Sequence, residues 1–286
     1  MSEVLAGNVV LAAVLTFLTQ AIQIGAYSAR YAGIVTGRIA TAISLFSLLV
    51  TASRLASLFM TPSLGAIADN ASNAAVRAHL STVDPATLHV FDLQMRIVVA
   101  AGSFGILLGA LLLPLFLVMF VRGIGAFERL GSVPRALLRL FDPRVIGDLL
   151  RALKPPPVQL SDFALGAIPK KLLIANTLLF AVYSVGVVAA YYASVIVLDA
   201  RTTATGLSGL VNGIGTVAFA LFIDPTTAFI VDQTVRGERP RRDVAAMIFW
   251  LVVTAFIGTV LAQLILYPAA EYIAAVANFW VNHSRH

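Results

Sequence analysis

The sequence predicts an all-α polytopic membrane protein in which six transmembrane helices form two inverted three-helix repeats, joined by a cytoplasmic amphipathic connector. Of the 286 residues, 59% are hydrophobic and only 12% are charged. Several almost uncharged windows of roughly twenty or more residues are long enough to span a hydrocarbon core of about 30 Å. The basic residues gather at the ends of these windows. Because backbone polar groups must be satisfied inside a bilayer, the spans are expected to be helical.

Six apolar segments are separated by proline, glycine or charged turns. We predict them to be the transmembrane helices: Val4–Tyr27, Ile39–Met60, Phe91–Val121, Lys171–Leu198, Thr203–Ile223 and Val244–Leu266. Predicted helix 1 follows an acidic start and lacks a convincing cleavage site, so we interpret it as a retained helix and not as a signal peptide. A short turn that carries Arg30 and Arg38 connects it to predicted helix 2.

Prolines mark the expected limits of predicted helices 2 and 3. Predicted helix 2 is expected to stop before Pro62, because the proline ring and the missing N–H disfavour continuation, and residues 61–91 then form a polar loop. Predicted helix 3 opens with Asp92 and Arg96, which stand four residues apart in the order that favours an intrahelical ion pair. Pro114 is expected to kink this helix.

Residues 122–165 are predicted to form a basic, amphipathic, cytoplasmic connector. The segment 122–171 holds nine Lys or Arg residues against four Asp or Glu residues, and it includes a triple proline at 155–157. Asp142 has the position of an N-cap before Pro143, and the apolar residues that follow share one helical face. This pattern is typical of a helix that lies in the inner headgroup layer.

Predicted helices 4–6 form the second half of the chain. Predicted helix 4 begins after a basic Pro-Lys-Lys sequence and ends at a short turn over 199–201. Predicted helix 5 is rich in glycine, which permits close helix approach, and it leads into an arginine-rich loop over 224–243. Predicted helix 6 is expected to end near Pro268, with an interfacial aromatic segment beyond it.

The basic residues predict the orientation of the chain in the membrane. Fifteen of the twenty Lys and Arg residues lie in the first turn, in the connector region or before predicted helix 6. The positive-inside rule therefore places these segments in the cytoplasm and both termini outside. The rule also accounts for the net charge of +6. Because the basic residues have no aromatic interleaving, nucleic acid is not an expected partner.

A weak internal repeat runs through the chain at an offset of 163 residues. It aligns four pairs in order: Arg38 with Arg201, Phe59 with Phe222, Pro62 with Pro225 and Asp69 with Asp232. Copies with an odd number of spans lie in the membrane with opposite orientations, a recurrent plan of transporters with a midplane site. The expected division is a first half over 1–121, the connector over 122–165 and a second half over 166–286. A chance alignment is the alternative.

Polar faces on predicted helices 2 and 5 are the candidate lining of a substrate path. On a helical wheel, Ser44, Ser47, Thr51 and Arg54 lie within about 80° of one another. Predicted helix 5 presents a second polar face that includes Asn212. These faces could line a path for a polar head group whose tail stays in lipid. The alternative is that the hydroxyls are ordinary interhelical hydrogen-bonding groups.

Arginine suits a diphosphate, since its planar fork donates two parallel hydrogen bonds and stays charged. Five arginines are the candidates for successive anion contacts: Arg30, Arg38, Arg54, Arg96 and Arg201. Asp92 joins the candidate set beside Arg96. The alternative for Arg54 is a structural pair with Asp69 or Asp92, because a charge at membrane depth needs a partner or water. For Arg96 the alternative is the intrahelical pair with Asp92.

The sequence carries no recognised motif for catalysis or metal binding. It has no cysteine, no DDxxD or HExxH motif and no P-loop, and its four histidines lie in a loop or in the tail. No catalytic residue, metal site or cofactor is therefore predicted.

Five sequence blocks are spread over most of the membrane-embedded chain. They are YSxRxxGxxTGRxAxxxSLF at 27–46, SR at 53–54, FDxQxR at 91–96, IPKKLLxAN at 168–176, and LSGLxNGIxT followed by DP over 207–225. Together these blocks resemble the Amj family, bacterial membrane proteins known as alternate lipid II flippases. The resemblance extends to Tyr27, Asp224 and most of the candidate residues above, but not to the connector or to the tail after Pro268.

The resemblance implies transport for peptidoglycan synthesis. The substrate would be lipid II, the undecaprenyl-pyrophosphate-linked precursor, moved from the inner to the outer leaflet of the bacterial cytoplasmic membrane. Arg38 and Arg54 are then expected to hold the diphosphate while the acyl chain remains in lipid. Two alternatives stay open: a membrane enzyme that acts on polyprenyl pyrophosphate lipids, and a scaffold for a cell-wall complex. The energy source and the oligomeric state, including a homo-oligomer, also stay open.

Overall fold

Every regular element in the described part of the chain is a helix, as the sequence predicts. The computed structural model describes residues 4–131, 147, 151 and 165–283. Its α-helices are α1 (Gly7–Ala26), α2 (Ser28–Thr36), α3 (Ile39–Arg77), α4 (Pro85–Leu111), α5 (Leu113–Leu130), α6 (Lys170–Ile196), α7 (Arg201–Ala218), α8 (Asp224–Val235) and α9 (Arg241–His283). Short 3-10 turns precede α6 and α7, and a five-residue π turn, Phe219–Ile223, separates α7 from α8.

Five segments of the described chain are long and apolar enough to cross a membrane. They are Gly7–Thr36, Pro85–Leu111, Lys170–Ile196, Leu198–Val235 and Arg241–His283. The remaining predicted span falls in α3, where a shorter apolar helical stretch covers Ile39–Thr51. The prediction of an all-helical, multi-pass membrane protein is therefore confirmed at the level of five candidate spans.

Two prolines that were expected to end helices lie inside them. α3 continues through Pro62 to Arg77, and α9 continues through Pro268 to His283. The predictions of a polar loop over 61–91 and of a helix end near Pro268 are therefore wrong. Beyond each proline, apolar residues at helical spacing are buried, among them Leu64 and Ile273. We attribute the continued helices to this packing, which offsets the hydrogen bond that proline removes.

Three connections also differ from the predictions. The turn expected to carry Arg30 is the helix α2, and the loop expected over 224–243 begins with α8. The kink expected at Pro114 is a break, because α4 ends at Leu111 and α5 begins at Leu113 with the proline in its first turn, where its missing N–H costs no helical hydrogen bond. The amphipathic helix predicted after Asp142 lies outside the described residues.

The long helices pack through glycines. α1 packs against α3 and α4, and α6 packs against α7 and α9. A Cβ atom built on Gly105 of α4 would lie 2.2 Å from the carbonyl oxygen of Phe17 on α1. A Cβ atom built on Gly258 of α9 would lie 2.4 Å from the carbonyl oxygen of Thr177 on α6. Glycine is therefore required where α4 meets α1 and where α9 meets α6.

Two of the three buried apolar clusters that the described residues form lie near different ends of the long helices. One includes Val9, Phe91 and Tyr192, and the other includes Ile24 and Val244. The second cluster lies where α1 ends and where α6 and α9 begin, next to the basic segments that the sequence places in the cytoplasm. We call this the basic end of the protein, and we call the other the opposite end.

An N-cap at Asp84 provides a first testable expectation. Its Oδ1 accepts hydrogen bonds from the backbone N–H groups of Ala86 at 3.1 Å and Thr87 at 3.0 Å. Hydrogen bonding to Thr87, foremost among the causes, lowers the pKa of Asp84. Because the folded pKa lies below the unfolded value of about 3.9, this stabilisation is present above that value and is lost as the pH falls through the folded pKa.

We expect Asp84→Ala to lower the melting temperature of the purified protein slightly at pH 7, and the difference from wild type to disappear as the pH falls through the folded pKa of Asp84. Asp84→Asn is the matched control, because asparagine also caps helices well. It should melt close to wild type at pH 7. A deficit in Asp84→Ala that persists at low pH would contradict this assignment.

Candidate functional site

Two cavities at the basic end share part of their lining. The smaller one, of about 120 Å³, lies between α1, α3, α6 and α7, and Tyr183 and Thr216 contribute to its wall. The larger one, of about 420 Å³, lies between α2, α3 and α8, and Arg30 contributes to its wall. Phe46 and Asp224 line both cavities. We call the pair the inner cavities.

Arg30 is the charged group at the centre of this region. Its Nη2 donates to Asp224 Oδ1 at 2.9 Å, and its guanidinium carbon lies 5.3 Å from the ring centre of Tyr27 and 5.0 Å from that of Phe46. The Arg30 side chain is only 11% exposed, whereas that of Asp224 is 46% exposed. Its Nη1 is buried and has no hydrogen-bond partner among the described residues. A guanidinium that packs against two aromatic rings and has an unused N–H donor can bind an additional anionic ligand.

Local structure explains how these two side chains meet. α2 begins directly after Tyr27 and is anchored by Ser28, whose hydroxyl donates to the Leu113 carbonyl oxygen at 3.0 Å. Asp224 is the first residue of α8 and follows the π turn directly. Wide π turns are frequent at functional sites because they change the register of the side chains that follow. The ion pair thus joins the first half of the chain to the second.

Arg38 lies at the surface of the basic end. It occupies the N-cap position of α3, and its Nε lies 2.5 Å from Glu128 Oε1 on α5. The two side chains are 60% and 40% exposed. Arg54 lies farther along α3, but its side chain is outside the described part of the structure, as is that of Asn212 on α7.

The predicted hydroxyl face of α3 is exposed. Ser44 donates to the carbonyl oxygen of Ala40 at 3.0 Å, and Thr51 donates to that of Ser47 at 2.8 Å. Both hydroxyls are therefore bonded within their own helix, and not between helices as the alternative had it. Ser47 itself lines the larger inner cavity. The face thus borders the inner cavities at one of its three hydroxyl positions.

A second polar network lies at the opposite end. Arg96 Nε donates to Asp92 Oδ2 at 2.7 Å, which confirms the intrahelical pair proposed as the alternative for Arg96. Arg96 Nη1 donates to the Gln263 carbonyl oxygen at 2.9 Å, and Gln263 Nε2 donates back to the Arg96 carbonyl oxygen at 3.0 Å. Tyr192 donates to Asp92 Oδ1 at 3.1 Å. The network joins α4, α6 and α9. The candidate Arg201 is partly buried and is the first residue of α7.

The candidate residues are thus divided between the two ends. Arg30 and Ser47 border the inner cavities, Arg38 lies at the nearby surface, and Asp92 and Arg96 are paired at the opposite end. Among the described residues, no three His, Cys, Asp or Glu side chains are grouped to hold a metal ion. The partners Tyr192, Gln263 and Glu128 had no signal in the sequence, because each contact joins distant parts of the chain. Phe46 ends the first of the five blocks, but the block did not indicate that its ring would contact Arg30.

Comparison with known proteins adds three findings. Residues 15–277 match the family described as "Amj: Alternate to MurJ". The chain is also 31% identical over 265 residues to the lipid II flippase Amj of Bacillus subtilis (strain 168), and the alignment covers 92% of this chain and 94% of that protein. No solved structure matches the chain.

Proposed function

This chain belongs to the Amj family, and we propose that it moves lipid II from the inner to the outer leaflet of the cytoplasmic membrane along a path between α3 and α7. The similarity to the lipid II flippase Amj of Bacillus subtilis, over 92% of this chain, is the observation that carries this function, and the family match over residues 15–277 agrees with it. The predictions of a flippase, of a transporter as opposed to an enzyme, and of a multi-pass cytoplasmic membrane protein are confirmed by it. The route and the residue roles are our own proposal.

Arg30 is the proposed contact for the diphosphate at the basic end. It is buried, it retains a free N–H donor, and it adjoins cavities between α3, α7 and α8. The outer surfaces of α3 and α7 carry exposed apolar residues such as Ile43 and Ile214, along which a polyprenyl tail can stay in lipid. The head group would then be held in the inner cavities while the tail remains in the bilayer.

The other candidates are proposed as successive contacts. Arg38, at the surface, meets the head group first. Arg54 follows it by sixteen residues on one continuous helix, which is about 24 Å at 1.5 Å per residue, so the two act in turn and not on one diphosphate together. Ser44, Ser47, Thr51 and Asn212 solvate the sugar-peptide head, and Asp92, Arg96 and Arg201 belong to the exit side.

Six spans in two inverted halves are also part of the proposal, with the division 1–121, 122–165 and 166–286. The packing supports this, because α1 contacts α3 and α4 in the way that α6 contacts α7 and α9. Phe17 aligns with Phe180 at the offset of 163, and both adjoin the close-contact glycines, Gly105 and Gly258 respectively. The network around Arg96 then closes the opposite end in this conformation.

Single cysteines can test the six-span topology, because the chain has no cysteine of its own. A membrane-impermeant maleimide is expected to label Leu5→Cys, Ser81→Cys and His283→Cys in intact cells. It should label Glu238→Cys only after permeabilisation. If α3 did not cross the membrane, positions 5 and 81 would lie on opposite sides, and only one of those two variants would be labelled from outside.

The function is tested by the accessibility of lipid II at the outer face of cells whose other flippases have been removed. Wild type, Arg38→Ala and Arg54→Ala are compared at matched expression, with an empty vector as the baseline. We expect outer-leaflet lipid II with wild type and its loss in both variants. If wild type delivers none, chromatography of the polyprenyl lipids would detect an enzyme product. A scaffold would instead support growth without any of the intramembrane arginines.

A further inference from the structure

The two members of the ion pair between Arg30 and Asp224 differ in their exposure, and this difference bears on substrate release. Arg30 is enclosed, whereas nearly half of the Asp224 side chain is exposed. A single hydrogen bond, from Nη2 to Oδ1 at 2.9 Å, joins them. The neighbouring Nη1 has no partner among the described residues. Asp224 therefore neutralises Arg30 without using the whole guanidinium fork.

An anion in the inner cavities meets both members of this pair. Asp224 lines both cavities, and Arg30 lines the larger one. A phosphate that takes the Nη1–Nη2 fork of Arg30 in the bidentate manner shares Nη2 with Asp224 and brings its negative charge next to the carboxylate. The two anions repel each other, so we expect the phosphate to displace the carboxylate from Arg30, and the exposure of Asp224 at the cavity wall leaves it room to move.

We propose that Asp224 is an internal competitor for Arg30, which weakens the binding of the diphosphate so that the lipid can be released. A buried arginine without a counter-ion would bind a polyanion tightly, because the alternative is an unpaired charge at membrane depth. Transport, however, requires binding that is weak enough to end. When the lipid leaves, Asp224 returns to Arg30 and the site is neutral again. This inference rests on the proposed function.

The proposal predicts opposite changes in binding and transport. Removing the Asp224 charge should tighten the binding of a diphosphate by about tenfold or more. The reason is that the ligand-free protein loses the charge-assisted hydrogen bond between Arg30 and Asp224, which the diphosphate otherwise has to replace. The same change should slow the delivery of lipid II, because release becomes slower. A residue with only a structural role would weaken both quantities or change neither.

The experiment uses the full chain purified in detergent, with farnesyl diphosphate as the binding probe, and outer-leaflet lipid II in cells as the transport readout. Asp224→Asn and Asp224→Ser both remove the charge and suit a helix start. Glu238→Gln is the matched control, because it removes one exposed carboxylate at the same end. We expect tighter binding and slower delivery in both Asp224 variants and wild-type values in the control.

Each outcome has a distinct meaning. Unchanged or weaker binding in folded Asp224→Asn and Asp224→Ser overturns the proposal, and so does failure of both variants to fold, since Asp224 then serves folding. If wild type delivers no lipid II while the Asp224 variants bind the probe more tightly, the proposed function fails and the competition stands. If wild type delivers lipid II and the Asp224 variants match it in binding, only the competition is overturned.

Discussion

Replacing Arg30 by alanine is expected to reduce the delivery of lipid II to the outer leaflet by roughly 30- to 160-fold. The guanidinium is the buried cation at the inner cavities, and a bidentate, charge-assisted contact to a phosphate is worth roughly 2–3 kcal/mol, which corresponds to that factor. The protein should still fold. The partner left behind, Asp224, is 46% exposed and can be solvated. Outer-leaflet lipid II at matched expression is the measurement.

Two further variants sharpen this experiment. Arg30→Lys keeps the charge but loses the planar fork, so we expect delivery between wild type and Arg30→Ala. Arg242→Ala removes one exposed positive charge at the basic end and should deliver lipid II like wild type. Wild-type delivery by a well-expressed Arg30→Ala protein would remove Arg30 from the proposed path.

The individual members of the inner site could be predicted from the sequence, but their pairing could not. Arg30 and Asp224 both lie in blocks that resemble the family, yet 194 residues separate them. Helical periodicity relates residues within a few turns of one another, so it carries no information about which helices meet. The pair Asp92–Arg96 could be predicted because its members are four residues apart. The bonds that Gln263 and Tyr192 add to that pair could not.

The positions of most helices were predicted, and the errors arose where packing outweighs local preference. The turn that was predicted to carry Arg30 and Arg38 contains Gly33 and Gly37, but of these two only Gly37 has a left-handed conformation, with a φ of +70°. Gly33 is buried where α2 meets α3, and a Cβ atom there would lie 3.2 Å from the Ile39 Cα atom. A glycine required for close approach and a glycine required for a turn are indistinguishable in the sequence. A proline that ends a helix and a proline inside a helix are likewise indistinguishable in the sequence. The helix continues through Pro62 because the residues beyond it are buried.

Gly105→Ala and Gly258→Ala are expected to destabilise the protein strongly. Each added methyl group would lie within 2.5 Å of a backbone carbonyl oxygen, 2.2 Å for Gly105 and 2.4 Å for Gly258. Backbone atoms cannot rotate away, so a whole helix must shift, at a cost of about 1–3 kcal/mol or more. The melting temperature of the purified protein and its amount in membranes should both fall.

Gly209→Ala and Gly213→Ala on α7 are the matched controls, because nothing lies within 4 Å of a Cβ atom at either position. Alanine is the better helix former by about 1 kcal/mol, so these variants should melt at or slightly above the wild-type temperature. If they remain stable but deliver less lipid II, this face of α7 contributes to transport and not to stability. Similar losses at Gly105 and Gly258 are expected if the contact of α1 with α4 and that of α6 with α9 are equivalent, as two copies of one three-helix unit require. A wild-type melting temperature for either of these two variants would contradict the close packing on which that equivalence depends.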